Sequence, residues 1–151
     1  MSDGAARGTR EDRSGPAVAS RLSDAGFDVV RTETVSDDRD AISSALRELA
    51  EAAGLVVTTG GTGLAPSDVT PEATRDVIER EVPGLAEAMR SAGRASVPTA
   101  DLSRGLAGTV GSTLVVNVPG SERGAVESLG AVLEALPHAL DVLAGETGHG
   151  E

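Results

Sequence analysis

A chain of 151 residues and 15.1 kDa is the size of one domain, long enough to bury about two-thirds of the surface its unfolded form exposes. Its formal net charge is −11, and every basic residue is arginine, which argues against nonspecific DNA or RNA binding and against anionic membranes. It has no cysteine, which excludes thiolate metal sites, thiol catalysis and disulfides, and Phe27 is its one aromatic residue, so the core must be aliphatic. No apolar run approaches the roughly 20 residues of a membrane span. With no signal peptide to read at the start, the expectation is a cytoplasmic protein without membrane or nucleic-acid partners.

Met1 to Arg13 is polar and reads as a loop. Ser14-Gly15-Pro16 then opens a helix, with Ser14 as N-cap, Val18, Leu22 and Ala25 on one face and Gly26 at the end. Phe27 to Val30 reads as a strand. Ser36-Asp37-Asp38 opens a second helix whose apolar positions are Ile42, Leu46, Leu49 and Ala53, closed by Gly54. Leu55 to Thr59 is a short apolar strand of the kind buried on both faces of a parallel sheet. Thr70-Pro71-Glu72 starts a helix running to about Glu81, Pro83-Gly84 breaks it, and Leu85 to Ser91 forms another.

Gly105 to Val110 and Thr113 to Val118 flank Gly111-Ser112, a two-residue hairpin signal. Pro119-Gly120 leads into a final helix with Val126, Leu129, Val132, Leu133 and Leu136 inward, interrupted at Pro137 and continued through Leu140 and Leu143. Residues 1–145 form one domain and 146–151 a flexible tail. Strand–helix alternation implies a mostly parallel sheet with helices on both faces and one β-hairpin.

Chemistry concentrates in the run Thr58-Thr59-Gly60-Gly61-Thr62-Gly63-Leu64-Ala65-Pro66-Ser67-Asp68 between a strand and a helix. Backbone N–H groups converge on phosphates at such a place. The chain has no lysine for a Walker A loop, and a third glycine is missing from the dinucleotide spacing. On glycines alone, a phosphate site and a plain tight turn serve equally well. Asp68 is either a carboxylate favoured by a helix N-terminus or a Mg²⁺ ligand beside phosphates. Asp37 carries the same two readings. Both lie beyond carboxyl ends of strands, where open α/β sheets bind ligands. Asn117-Val118-Pro119-Gly120-Ser121 is a second such turn, either pocket wall or simple Pro-Gly turn. Arg104 either pairs with a phosphate or is a solvated surface residue.

Together these pieces resemble the MogA/MoaB family, the molybdopterin adenylyltransferases of molybdenum cofactor synthesis. The matching residues are Ser2-Asp3, Glu11 to Pro16, Ser36-Asp37-Asp38, Thr58 to Ala73, Pro98-Thr99, Leu102-Ser103-Arg104, Gly108-Thr109 and Val118 to Ser121. The resemblance implies a three-layer α/β/α domain, usually a homotrimer, that transfers AMP from ATP to the terminal phosphate of molybdopterin and releases pyrophosphate with Mg²⁺. It places Asp37 and Asp68 as catalytic carboxylates and Mg²⁺ ligands. It assigns Thr59, Gly60, Gly61, Thr62, Gly63, Ser103, Arg104, Pro119, Gly120 and Ser121 to nucleotide and substrate binding. A non-catalytic molybdopterin-binding module or assembly partner, and an unrelated flavodoxin-like phosphate-ligand protein, are the alternatives.

The sequence departs from the family at two points. Glu122 stands where the family often has proline after Pro-Gly-Ser. Met1 stands where a hydrophobic first strand would end: either the true start lies upstream, or the chain lacks that strand, which would leave the core partly uncovered. A chain carrying about seven further strand residues ahead of Met1 is expected to melt higher than the 151-residue chain. Equal melting temperatures for the two would contradict this.

Overall fold

The computed structural model describes residues 13–145; the motif residues Ser2-Asp3 and Glu11-Asp12, the segment next to the first strand expected to be missing, and the tail at 146–151 lie outside the described residues. The elements in chain order are α1 (Ser14–Asp24), α2 (Arg39–Ala52), β1 (Leu55–Thr59), α3 (Thr70–Arg75) and β2 (Arg80–Glu81). They continue with α4 (Pro83–Arg94), a 3₁₀ turn (Pro98–Leu102), β3 (Ala107–Val110), β4 (Thr113–Val118), α5 (Glu122–Val132) and α6 (Leu136–Leu143).

The sheet order is β1-β4-β3-β2, with β1 parallel to β4 and the other pairings antiparallel. Among the described residues the sheet is therefore mixed rather than mostly parallel. The hairpin β3–β4 forms where the sequence places it, and Gly111 turns it with φ +57°, at the first of its two central positions.

Alternation along β4 divides the core. Leu114, Val116 and Val118 pack on one face with Val18 and Leu22 of α1, Met89 of α4 and Leu129 of α5. Val115 packs on the other face with Ile42 and Leu46 of α2 and Ala73 of α3. Two helical layers thus enclose the sheet, the three-layer α/β/α arrangement expected.

Several boundaries differ from the sequence reading. Arg13, not Ser14, is the N-cap of α1, while Ser14 is buried inside the helix and donates its hydroxyl to Thr59 Oγ1 at 3.1 Å. The helix expected to reach Glu81 stops at Arg75. The chain instead turns to lay β2 against β3, with Glu79 N on Thr109 O at 2.7 Å and Val82 N on Ala107 O at 2.8 Å. Pro83 starts α4 rather than breaking a helix, and α4 runs on to Arg94.

No strand forms over Phe27–Val30. Phe27 and Val29 turn inward and Asp28 and Val30 outward, as in an extended chain, but the segment has no ladder partner. Gly54 O accepts from Leu114 N and Gly60 N donates to Val118 O, so the backbone groups of Val56 and Thr58 face β4 and those of Leu55, Val57 and Thr59 face the other edge. A slot of about 690 Å³ separates that edge from residues 27–35. Strand pairing needs backbones about 4.8 Å apart, and the slot prevents it. Only Val56 and Thr58 of β1 are fully buried, and among the described residues β1 is an edge strand rather than one covered on both sides.

Gly108 marks the tightest packing in the sheet. A Cβ there would lie 2.7 Å from Arg80 O and against the side chain of Ile78. Gly108→Ala is expected to destabilise the fold by about 1–3 kcal/mol through overpacking. Gly130→Ala, on the exposed face of α5 with nothing nearby, should stabilise by about 0.5–1 kcal/mol. Urea unfolding of both variants checks the opposite signs.

Candidate active site

The parallel register decides where the site forms. Thr58 lies opposite Asn117 and Thr59 opposite Val118, so β1 and β4 end together at one edge of the sheet. The glycine loop and the Pro119-Gly120-Ser121 turn therefore leave the sheet side by side. They touch through backbone alone: a Cβ on Gly120 would sit 3.2 Å from Gly60 Cα. Gly60 and Gly61 hold φ +88° and +70°, and the Thr70 side chain fills the space a Cβ at Gly61 would need.

Between these turns opens a cleft of about 1260 Å³. Its wall includes Asp37, Thr59, Gly60, Gly61, Thr62, Gly63, Asp68, Ser103, Pro119, Gly120 and Ser121, eleven of the twelve residues the sequence singled out. The neighbouring aspartates divide their labour. Asp38 is the N-cap of α2 and accepts from Ala41 N at 2.9 Å, whereas Asp37 lies on the cleft wall. Asp68 Oδ2 accepts from Ala65 N at 3.1 Å within the loop. Ser121 caps α5 by accepting from Gly124 N at 3.0 Å.

Arg104 is the twelfth residue, and it is not on that wall. Its guanidinium faces the back of the loop: Nε donates to Gly63 O at 2.8 Å, Nη2 to Asp68 O at 2.7 Å and Nη1 to Glu72 Oε2 at 2.6 Å. Its backbone N–H also binds Thr62 O at 2.7 Å. The hydrogen bond from Arg104 holds the Glu72 carboxyl below its ordinary value of 4.5, against an opposing push from burial.

A polar knot sits beneath the cleft. Asn117 is 1% exposed. Its Nδ2 donates to Thr58 Oγ1 at 2.9 Å and Thr74 Oγ1 at 3.1 Å, and its Oδ1 accepts from Leu106 N at 3.2 Å. One amide thus ties β1, α3 and the entry to β3 together, with its donors and acceptor used.

Arg90 was not legible as a wall residue. It lies within α4 and reads as a solvated helix position, yet it lines the cleft and donates to Ser103 O at 3.2 Å and Gly105 O at 2.9 Å. Met89 and Glu127 reach the same wall from helix interiors. Helical periodicity could not single them out, because the cleft is made by the packing of α4 against α5. No group of three or more potential metal-ligating side chains occurs among the described residues. Mg²⁺ needs fewer, since one or two carboxylates plus substrate phosphates and water suffice, and Asp37 and Asp68 fit that donor set.

Fold and cleft define an α/β protein with a cleft at the carboxyl ends of parallel strands, the place where open α/β sheets bind ligands. The chain belongs to the family described as probable molybdopterin binding domain, whose pattern matches residues 1–138. It is 41% identical over 148 residues to the molybdopterin adenylyltransferase of Helicobacter pylori strain J99, covering 95% of this chain and 84% of that protein. Among solved structures it is similar to the molybdopterin biosynthesis enzyme MoaB of Thermus thermophilus, with TM-score 0.90, 51% identity, and 95% and 92% of the two chains covered. The molybdopterin biosynthesis Mog protein of Mycobacterium ulcerans superposes with TM-score 0.89 at 42% identity, covering 96% of this chain and 93% of that one.

A carboxyl whose pKa falls on folding adds stability above its unfolded pKa and loses it as pH drops through the folded value. The Glu72 contribution should therefore be present at neutral pH and disappear below 4.5. The pair is 34% and 36% exposed, so solvent and salt will reduce the effect. In urea titrations from neutral to acid pH, the advantage of the wild type over Glu72→Gln should shrink below that point. A constant difference would reject the pairing as its source.

Proposed function

We propose that this protein acts in molybdenum cofactor biosynthesis as a molybdopterin adenylyltransferase, transferring AMP from ATP to the terminal phosphate of molybdopterin. The observation that carries the reading is the meeting of Asp37, Asp68, the glycine loop and the Pro-Gly-Ser turn on one cleft wall. The names of relatives at this level of identity supply the substrate class.

In this reading the loop from Thr59 to Gly63 and the turn from Pro119 to Ser121 cradle the two phosphate-bearing substrates against backbone groups, with Ser103 completing the wall. A terminal phosphate oxygen of molybdopterin attacks the α-phosphorus of ATP. The new P–O bond replaces the one to the β-phosphate, and pyrophosphate departs with the bonding electron pair. The protein's share is mainly alignment and charge stabilisation, which explains why no lysine or nucleophilic side chain is needed. Asp37 and Asp68 would hold Mg²⁺, which when bound offsets charge on the departing pyrophosphate. A homotrimeric assembly and a cytoplasmic location belong to the same reading.

Incubated with ATP, Mg²⁺ and molybdopterin, the protein should release pyrophosphate. Asp68→Ala and Asp37→Ala should each lower the rate by about a hundredfold or more, with the fold retained by circular dichroism. Sedimentation equilibrium should give three times the chain mass. Tight molybdopterin binding by the wild type without pyrophosphate release would instead assign a non-catalytic binding role.

A further inference from the structure

The loop that carries Asp68 has few internal restraints. Residues 64–67 are exposed, and Leu64 retains 66% of its accessible surface. Within the tip, Asp68 N binds Ala65 O at 2.9 Å and Asp68 Oδ2 accepts from Ala65 N. Arg104 supplies a clasp from another part of the chain. The carbonyls of Gly63 and Asp68, at the two ends of the tip, accept from the same guanidinium at 2.8 and 2.7 Å, while Glu72 fixes its third side at 2.6 Å. These bonds leave in three directions from one rigid plane, which a lysine ammonium on a flexible stem cannot reproduce.

We infer that Arg104 is a positioning residue: it closes the loop tip so that the Asp68 carboxylate is presented to the cleft, and it does not itself bind a substrate phosphate. Gly63 has a complementary part. A Cβ there would stand 2.8 Å from Asp68 Oδ2, so the carboxylate lies over a bare Cα. The clasp sets where the tip sits, and the missing side chain leaves room for the carboxylate. Each of the three guanidinium nitrogens of Arg104 already donates to the loop or to α3.

The test uses the full chain and Arg104→Lys, which keeps a positive charge but loses the fork. The first measurement is amide hydrogen exchange without ligand, and it stands apart from any assumed reaction. Positioning predicts exchange of the hydrogen-bonded Ala65 and Asp68 amides faster by about tenfold or more, with the sheet amides of β4 unchanged. The second measurement rests on the adenylyl-transfer reading. There kcat should fall by about 10–100-fold, while the Kd for ATP with Mg²⁺ stays within about threefold. Gly63→Ala gives an independent route: it should reproduce the loss of kcat while the Arg104 clasp and the exchange rate of the Asp68 amide are retained.

Unchanged exchange of the Ala65 and Asp68 amides in Arg104→Lys would overturn the inference. So would ATP affinity that collapses with Arg104→Ala and is largely restored by Arg104→Lys, the signature of a phosphate ligand. Should the wild type release no pyrophosphate while the exchange difference appears, the reaction assigned to the cleft fails and the clasp stands.

Discussion

The parallel pairing of β1 with β4 is the constraint on which the rest depends. Two segments almost sixty residues apart run side by side in register from Leu55 opposite Leu114 to Thr59 opposite Val118. Parallel strands end at the same edge, so the loops that follow them must emerge together. The chain between them supplies α3, the β2–β3 antiparallel pair and α4, each placed by the need to cover one face of the sheet or extend it. Asn117 reinforces the pairing from within. Its amide joins Thr58 to Thr74 and takes the Leu106 N–H, in a strand whose centre is leucine and valine. A buried amide satisfied on both ends fixes register more sharply than apolar contact, which tolerates sliding.

Under the proposed function, an acidic chain must meet the charge of phosphate ligands locally, because its long-range field repels them. The structure favours backbone donors and carboxylates that could hold a cation over a cluster of basic side chains. Arg104 and Arg90 both lie near the cleft, yet each donates to backbone carbonyls of the surrounding turns. Their charge still contributes to the local potential, but their hydrogen bonds go into shape. Glu72 offsets part of the Arg104 charge at the back of the loop.

Much of this was legible in the sequence. The run Thr58 to Asp68 and the turn at Pro119 to Ser121 carry local signals, glycine and proline beside apolar strands, that survive without knowledge of the fold. Where neighbours decided, the reading failed. Phe27 to Val30 has a strand's alternation and no partner to pair with. The segment after Thr70 has a helix start but gives up its last turns so that Ile78 and Arg80 can reach β3. Asp37 and Asp38 are indistinguishable as adjacent acids before a helix, and only the backbone path makes the second a cap and leaves the first on the cleft wall.

The sequence by itself determined the α/β class, the hairpin at Gly111-Ser112, the family and the two turns that frame the cleft. These rest on short-range chemistry: which residues accept positive φ, start a helix or fill a strand. Tertiary structure decided which side chains face the cleft, that Arg104 clasps the loop from behind, and that a slot lies between β1 and residues 27–35. Those outcomes depend on contacts between residues far apart in the chain, and no local pattern records the direction in which a guanidinium finds its acceptors.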